Sequence, residues 1–581
     1  MRLVVAIGTF ALAFVLLVVG LTFRIFFSGT DYVTETQQVS TTTPYLVVDG
    51  AVLASHEGDP LVSANGTGPV VVAYGASKDV QAWLGGVAYT QLGLEKDSTK
   101  IVSSVVPAKS TSPVDPKIVN PAGSDMWINE ASAPDLATVQ AKADANFQAI
   151  IASDGKLFAP GNVTIAWPLP SRAPWATSLL IAGGILALIG LVLYLWALRH
   201  MRREHGPRRR GGGGSPKPPR GALKASRPKK VVQLTRGRRA ILPTLAPILG
   251  VTTVLTLGLS ACTPLQAAQN GQLSTNSAAP GSKNNPDVSE AQFARIMART
   301  SATIAEADKA LNTDLASTRL VGPAMQLRAA NYVIRGKDGN QAALPAIPGQ
   351  PISLLMPQAT DLWPRIVMAV LQNPNDPSVP TAGVVMIQNS PRENYHVEYA
   401  VSLEPNATVP KIAPATVGST GIPADSKLLL MAPNKVGAAY GDVLANGAAS
   451  QYYNSFDLTG DTLVTQIGQE YKQKKIAAIA DKATLEFFQS PGSGVPLSLA
   501  TLDSGAIVSV GLDETERVKP KAGSSVTPEG QAKLLSGLGA TSAGFEDTYN
   551  LQLVFYVPPI GSKDKIRLLG FSQGLIAVKG L

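Results

Sequence analysis

The sequence predicts a multidomain, membrane-anchored chain. A β-sandwich-like external domain comes first and tandem α+β domains follow, with two or three transmembrane helices. Three observations predict it: apolar runs long enough to cross a bilayer, a strongly basic stretch between them, and a change of apolar periodicity along the rest. At 581 residues the chain also exceeds what one hydrophobic core usually organises.

The first run, residues 3–23, holds 21 residues without a charge and is bounded by Arg2 and Arg24. At about 1.5 Å per residue it spans roughly 30 Å of hydrocarbon. A cleaved signal peptide is the competing reading. Its apolar core is normally about 7–15 residues and ends in small residues, whereas this run continues into Phe23, Arg24, Ile25, Phe26 and Phe27. An uncleaved helix over residues 1–27 is therefore expected. The second run, 176–198, carries Trp175 at one end and Tyr194 and Trp196 at the other, where amphipathic rings favour the headgroup layer.

Between residues 199 and 239 there are fifteen Lys and Arg and one acid, Glu204. That stretch carries about +14, leaving about −5 for the rest of a chain whose formal charge is +9. Positive charge is retained on the cytoplasmic side. Residues 199–239 are thus expected inside, and 28–175 and 263–581 outside. The triplet Arg208, Arg209 and Arg210, followed by four glycines and three prolines, reads as a disordered loop attracted to anionic membrane lipids. No aromatic residues are interleaved to stack on bases, so no nucleic-acid partner is expected.

A third run, 240–262, is weaker, with Pro243 and Pro247 inside it. Arg236, Arg238 and Arg239 precede it, and it ends in Leu259, Ser260, Ala261 and Cys262. This pattern resembles the signal peptide of bacterial lipoproteins. The resemblance implies a lipobox at Leu259, Ser260 and Ala261, cleavage before Cys262, and lipidation of the Cys262 sulfur. Residues 263–285, rich in Gln, Asn, Ser, Ala and Gly, fit a flexible linker behind such an anchor. Lipoprotein signals open a chain, however, and this one does not. A transmembrane helix or a lipoprotein-type signal both remain open for 240–262.

In the first external segment, residues 45–48, 70–74 and 100–106 alternate or run apolar between turn signals such as Asp49-Gly50 and Asn65-Gly66. Val139, Ala143, Phe147 and Ile151 lie four apart and would suit a helix. Residues 146–152, then Asp154-Gly155, then 163–167 read instead as a hairpin. Residues 68–75 (GPVVVAYG) and 79–88 (DVQAWLGGVA) look like a stretch of uncharacterised actinobacterial membrane proteins. In those, a β-rich external domain precedes a transmembrane helix, and the similarity extends over about 40–200. It tilts the reading to the hairpin and to a small sandwich, with Trp83, Trp127 and Trp167 expected in its core.

In the second, Ser289, Glu290, Ala291 and Gln292 form a capping box. Phe293, Met297, Ile304 and Leu311 lie on one helical face behind it, and a further helix is expected after Gly322-Pro323. Strands are expected at 366–371, 383–388 and 396–403. Helix signals return around Val436, Tyr440 and Val443 and around Leu463, Ile467 and Tyr471, and strands at 498–502, 507–512, 551–557 and 566–571. Helices first, then an antiparallel meander, twice over, predicts two α+β domains, 286–430 and 431–581. The element order is similar to the NTF2-like cone fold, which implies helices covering a curved sheet and licenses no function.

Chemistry leaves little trace. Of four histidines, His200 and His205 lie in the basic stretch, which leaves His56 and His396 in different external segments. Cys262 is the only cysteine, so neither a disulfide framework nor a Cys-cluster metal site is available. Ser-x-x-Lys at Ser153/Lys156, Ser226/Lys229 and Ser562/Lys565 falls in turns or linkers without partner motifs. Asp513/Glu514 is expected in a hairpin loop. No catalytic residue, metal ligand or cofactor is assigned. We expect a non-catalytic, multi-pass cell-envelope protein whose external domains bind or scaffold a wall polymer, a membrane lipid or another exported protein. The alternative is an envelope enzyme, a hydrolase or transferase, that gathers carboxylates of raised pKa in an α+β pocket.

Overall fold

The computed structural model describes residues 2–26, 32–109, 118–155, 157–169, 174–204, 286–372, 380–405 and 407–581. The described residues form two compact units: the two apolar helices, and everything else.

In the first unit, α1 (Arg2–Phe26) and α4 (Pro174–Glu204) are both long and apolar enough to cross a membrane, within Val5–Phe23 and Thr177–Trp196. They pack on each other through small residues. Ala6, Ala13 and Gly20 on α1, and Gly183 and Gly190 on α4, are buried and recur every seven residues. A Cβ on Gly20 would meet Leu180 at 3.0 Å, and one on Gly183 would meet Leu17 at 2.8 Å. The contacts 20 to 180, 17 to 183 and 10 to 190 run in opposite directions, so the pair is antiparallel. Small residues let two helices approach where apolar side chains alone offer no preference for protein over lipid.

The second unit begins with β1 (Tyr32–Gln38), β2 (Tyr45–Val48), α2 (Gly50–Leu53), β3 (Leu61–Asn65), β4 (Val70–Ala76) and α3 (Ser77–Leu84). It continues through β5 (Tyr89–Leu94), β6 (Ile101–Val106), β7 (Asn129–Ala133), β8 (Leu136–Gln140), β9 (Phe147–Ala152) and β10 (Asn162–Pro168). The strands form a four-stranded sheet, β1-β10-β3-β8, and a six-stranded sheet, β6-β5-β2-β9-β4-β7. The two sheets close on one core, with Leu46, Val48, Val72 and Ile151 from one and Val62, Val163, Ile165 and Trp167 from the other. The other face of the six-stranded sheet is covered by α3. Trp83, Trp127 and Val80 form a second cluster there with Tyr45, Val47 and Ile150. Gly85 ends α3 in the left-handed region, φ 61°, where a side chain would be strained. All three tryptophans are core residues.

The expected hairpin over 146–167 does not form. β9 pairs β2 and β4 in one sheet, and β10 pairs β1 and β3 in the other. The chain crosses between sheets at the Asp154-Gly155 turn, and each strand is paired on both sides within its own sheet.

The rest of the unit runs α5 (Glu290–Ala310), α6 (Thr313–Ser317), α7 (Gly322–Lys337), then β11 (Ile352–Pro357), β12 (Arg365–Leu371), β13 (Ala382–Gln388) and β14 (His396–Leu403). Next come α8 (Pro433–Asn446), β15 (Phe456–Asp457), α9 (Thr462–Ile467) and α10 (Gln469–Ile479). The chain ends with β16 (Ala483–Pro491), β17 (Leu497–Ala500), β18 (Ala506–Pro520), α11 (Gly530–Ser536), β19 (Phe545–Val557) and β20 (Ile566–Gly580). The Ser289 hydroxyl caps α5 by accepting from the Gln292 N–H at 3.3 Å. Helices α5–α7 cover β11–β14 through a core around Phe293, Ile296 and Val397, and α8 and α9 cover β18–β20 around Tyr440, Leu463 and Phe555.

The two helix-then-meander halves share one ten-stranded sheet. Its path is β11-β12-β13-β14-β20-β19-β18-β16, and β14 meets β20 at Ser402–Phe571 and Leu403–Gly570. A third core joins Met368, Ile387 and Tyr399 of the first half to Leu499, Val554 and Tyr556 of the second. Strands with both faces apolar, such as β12, need two covers, and each half supplies the other's second one.

Candidate functional site

Two polar constellations stand out because they place charge where packing alone would not. The first joins the sandwich to the helix-covered sheet. Along α5, Gln292, Arg295 and Arg299 sit three and four residues apart, so they share a face. Gln292 Nε2 donates to the Asp125 carbonyl at 2.7 Å, and Arg295 Nη2 donates to the Trp127 carbonyl at 2.8 Å. Arg299 bridges Glu130 at 3.1 Å and Asp125 at 3.5 Å.

Asp125 is the centre. Its carboxylate has no exposed surface and receives Arg319 Nη1 at 2.6 Å and the Tyr395 N–H at 2.9 Å. Arg365, the first residue of β12, donates to Asp79 on α3 at 2.6 Å. Burial lowers the Arg365 pKa, but Asp79, Tyr395 and Asp287 together outweigh it and leave it raised. Arg392 donates to the Trp83 and Leu84 carbonyls at the end of α3, at 2.8 and 2.9 Å. Lys78 pairs with Asp361, and Trp363 packs against the tryptophan cluster of the sandwich. Asp287 lies buried beside Tyr395, which donates to it at 3.1 Å, and burial pushes its carboxyl up to about 8 despite nearby Arg365. A buried ion pair is weak evidence of net stability but strong evidence of specificity, since removing one partner leaves an uncompensated charge.

The second constellation lies on the face of the sheet beneath α10. Cross-strand register sets Glu514 opposite Tyr549 and Glu516 opposite Asp547 on one face of β18 and β19. Lys472 and Lys475, one turn apart on α10, reach down to them. Lys472 meets Glu514 at 2.7 Å, and Lys475 meets Glu516 at 2.7 Å. Asp547 has no hydrogen-bond or ion-pair partner, and its Oδ1 is fully buried. Burial first, then neighbouring Glu516, raise its pKa to about 6, against the pull of Lys475. Lys475, Glu516, Asp547 and Tyr549 line a cleft of about 790 Å³ between α10, α11 and the sheet. A smaller, apolar cleft of about 330 Å³ lies between α7, the 344–348 segment and β13–β14.

Asp513 and Glu514 thus stand inside a 15-residue strand, not in a hairpin loop, and Glu514 is buried in an ion pair. The loop expectation failed because β18 continues its pairing with both β16 and β19 past those charges. Ser562 and Lys565 fall in the segment between β19 and β20. His56 stacks against Trp167 with ring centroids 4.6 Å apart, and burial lowers the pKa of His396. Among the described residues no group of three or more His, Cys, Asp or Glu is placed to hold a metal ion. Leu259, Ser260, Ala261 and Cys262, and with them the 240–262 segment, lie outside the described residues. So do the 205–239 stretch and the 263–285 linker. Sequence reasoning missed the docking charges, although the 292, 295, 299 spacing on a capped helix was available to find them.

The fold and these sites define a mixed α/β protein in which helix-covered half-sheets share one sheet and carry a docked two-sheet domain. The chain belongs to the family described as a domain of unknown function (DUF8094), which matches residues 284–580, from just before α5 through β20. No curated protein and no solved structure matches the chain.

Proposed function

We propose that the chain is a non-catalytic cell-envelope protein that holds one extracytoplasmic binding body against the membrane. The observation that carries this is the docking of residues 32–169 onto residues 286–581 through Asp125, Asp79 and their arginines. Two segments joined by buried ion pairs lie on the same side of a membrane. If α4 carries the chain across once, the chain crosses again between residues 205 and 285. The apolar run 240–261 is the segment able to do so. The fifteen basic residues of 199–239 then remain cytoplasmic, against anionic lipid headgroups.

The lipoprotein-type reading of 236–262 belongs to the same proposal. Cleavage before Cys262 would leave two products, each with its own anchor, held together by the docking contacts. A wall polymer, a lipid or another exported protein remains the partner class. The NTF2-like likeness is one of element order, and the clefts beneath the helices support the binding reading. The enzyme alternative called for two or more carboxylates of raised pKa in one pocket. The α10 cleft offers one, Asp547, while Glu516 is neutralised by Lys475. That favours binding.

The test is an engineered protease site within 263–285. After cleavage in detergent, a tag on the C-terminal part is expected to retain the N-terminal part at physiological salt. Separation of the two parts on cleavage would overturn the reading.

A further inference from the structure

The α10 cleft has an excess carboxylate at its floor. Lys475 is paired with Glu516, and the other charged groups lining the cleft are Lys482, Asp481, Glu529 and Asp547, so the lining is net acidic and Asp547 is its buried, unpaired carboxylate. Asp547 is more than nine-tenths buried, belongs to the lining of the cleft, and has no partner of its own. A buried carboxylate without a partner is costly, and native structures keep such groups where a ligand or ion completes them.

We propose that this cleft binds a primary ammonium group carried on a short aliphatic stem, seated on Asp547. An ammonium has three donors and no acceptor, which suits a buried carboxylate with no hydrogen-bond or ion-pair partner of its own. Leu485, Val518 and Phe545 line the same cleft and offer an apolar wall to the stem. An anion is disfavoured, because the Lys475 cation is already committed to Glu516 and Lys482 is outnumbered around the cleft by Asp481, Glu529 and Asp547. Among the described residues no group of three or more His, Cys, Asp or Glu is placed to hold a metal ion, which disfavours a divalent cation. Lysine-like side chains and free diamino acids carry the required chemistry. The inference goes beyond the docking proposal and fails separately from it, since an intact docked body can lack amine binding.

The test is calorimetric titration of the full chain in detergent with Nα-acetyl-lysinamide and with its neutral Nα,Nε-diacetyl counterpart. The charged probe is expected to bind at least tenfold more tightly than the neutral one at pH 7.5. Asp547→Asn is expected to remove that preference. Because Asp547 titrates near 6, the affinity of the wild-type chain is expected to fall about tenfold between pH 7.5 and pH 5. The pH series needs no variant, so it stands even if a substitution disturbs folding. Equal binding of the two probes, no binding of the charged probe, or an Asp547→Asn chain that keeps the preference would each overturn the inference.

Discussion

Replacing Asp125 by alanine removes one small side chain and leaves a guanidinium stranded. Asp125 accepts Arg319 at 2.6 Å and the Tyr395 N–H at 2.9 Å, and its own side chain is wholly buried. Without it, the nearest remaining acceptor for Arg319 is the Tyr395 carbonyl at 3.5 Å, while its side chain stays 8% exposed. Breaking a buried pair from one side costs about 3–5 kcal/mol. Arg299 keeps Glu130 and is a third exposed, so it rehydrates and adds little. A loss of about 3–4 kcal/mol is therefore expected. Urea unfolding of the full chain in detergent, followed by tryptophan fluorescence, reads it directly, because Trp83 and Trp127 sit behind the docking surface. The double variant Asp125→Ala, Arg319→Met is expected to recover at least half the loss, since it removes the stranded charge. A loss below about 1 kcal/mol in Asp125→Ala, or no recovery in the double variant, would refute the assignment of Asp125 as the centre of the docking surface.

Asp547→Asn is expected to stabilise the chain at neutral pH. The folded-state pKa of about 6 lies above the ordinary 3.8, so the folded state holds the proton more tightly and the stability of the wild-type chain falls as pH rises from 3.8 to 6. Screened by the open cleft, the gain for the variant is about 1–2 kcal/mol at pH 7.5, and it vanishes as pH falls towards 3.8; denaturation at both pH values checks it. Lys472→Ala leaves Glu514 buried and unpaired except for Gln489 at 3.2 Å, and a loss of about 3 kcal/mol or more is expected by urea denaturation. Gly183→Leu drives a side chain into Leu17 and is expected to weaken the α1–α4 pair by about 1–3 kcal/mol, read as a lower unfolding midpoint in detergent.

Local signals carried a good deal of the fold. The capping box at Ser289, the helix behind Gly322-Pro323 and the alternation over 551–557 each marked an element found in place. Local signals do not carry partner choice. Nothing near Asp154-Gly155 says that β9 and β10 belong to different sheets, because register is decided by strands more than a hundred residues away. The merger of the two half-sheets rests on a two-residue contact between β14 and β20 and on apolar outer faces that read equally well as interior.

The sites were less legible for a related reason. Asp79, Asp125 and Asp547 look like ordinary surface acids, and only tertiary structure makes them buried. Glu514 and Glu516 stand in the polar run Asp513-Glu514-Thr515-Glu516-Arg517 of β18, which reads as a solvent-exposed stretch. Here a helix with lysines one turn apart lies over that stretch and supplies the counter-charges. The small-residue repeat from Ala6 to Gly20 is plain in the sequence once the heptad spacing is looked for.

The account stands on both displayed segments sharing one side of the membrane. In a Cys262→Ser background, single cysteines at exposed Lys96 and Lys427 report the two segments, and one at Ser226 reports the basic stretch. With a membrane-impermeant maleimide on intact spheroplasts, Lys96→Cys and Lys427→Cys are both expected to react, and Ser226→Cys only after permeabilisation. Labelling of Lys96→Cys without Lys427→Cys, or the reverse, would put the docked segments on opposite sides and contradict the account.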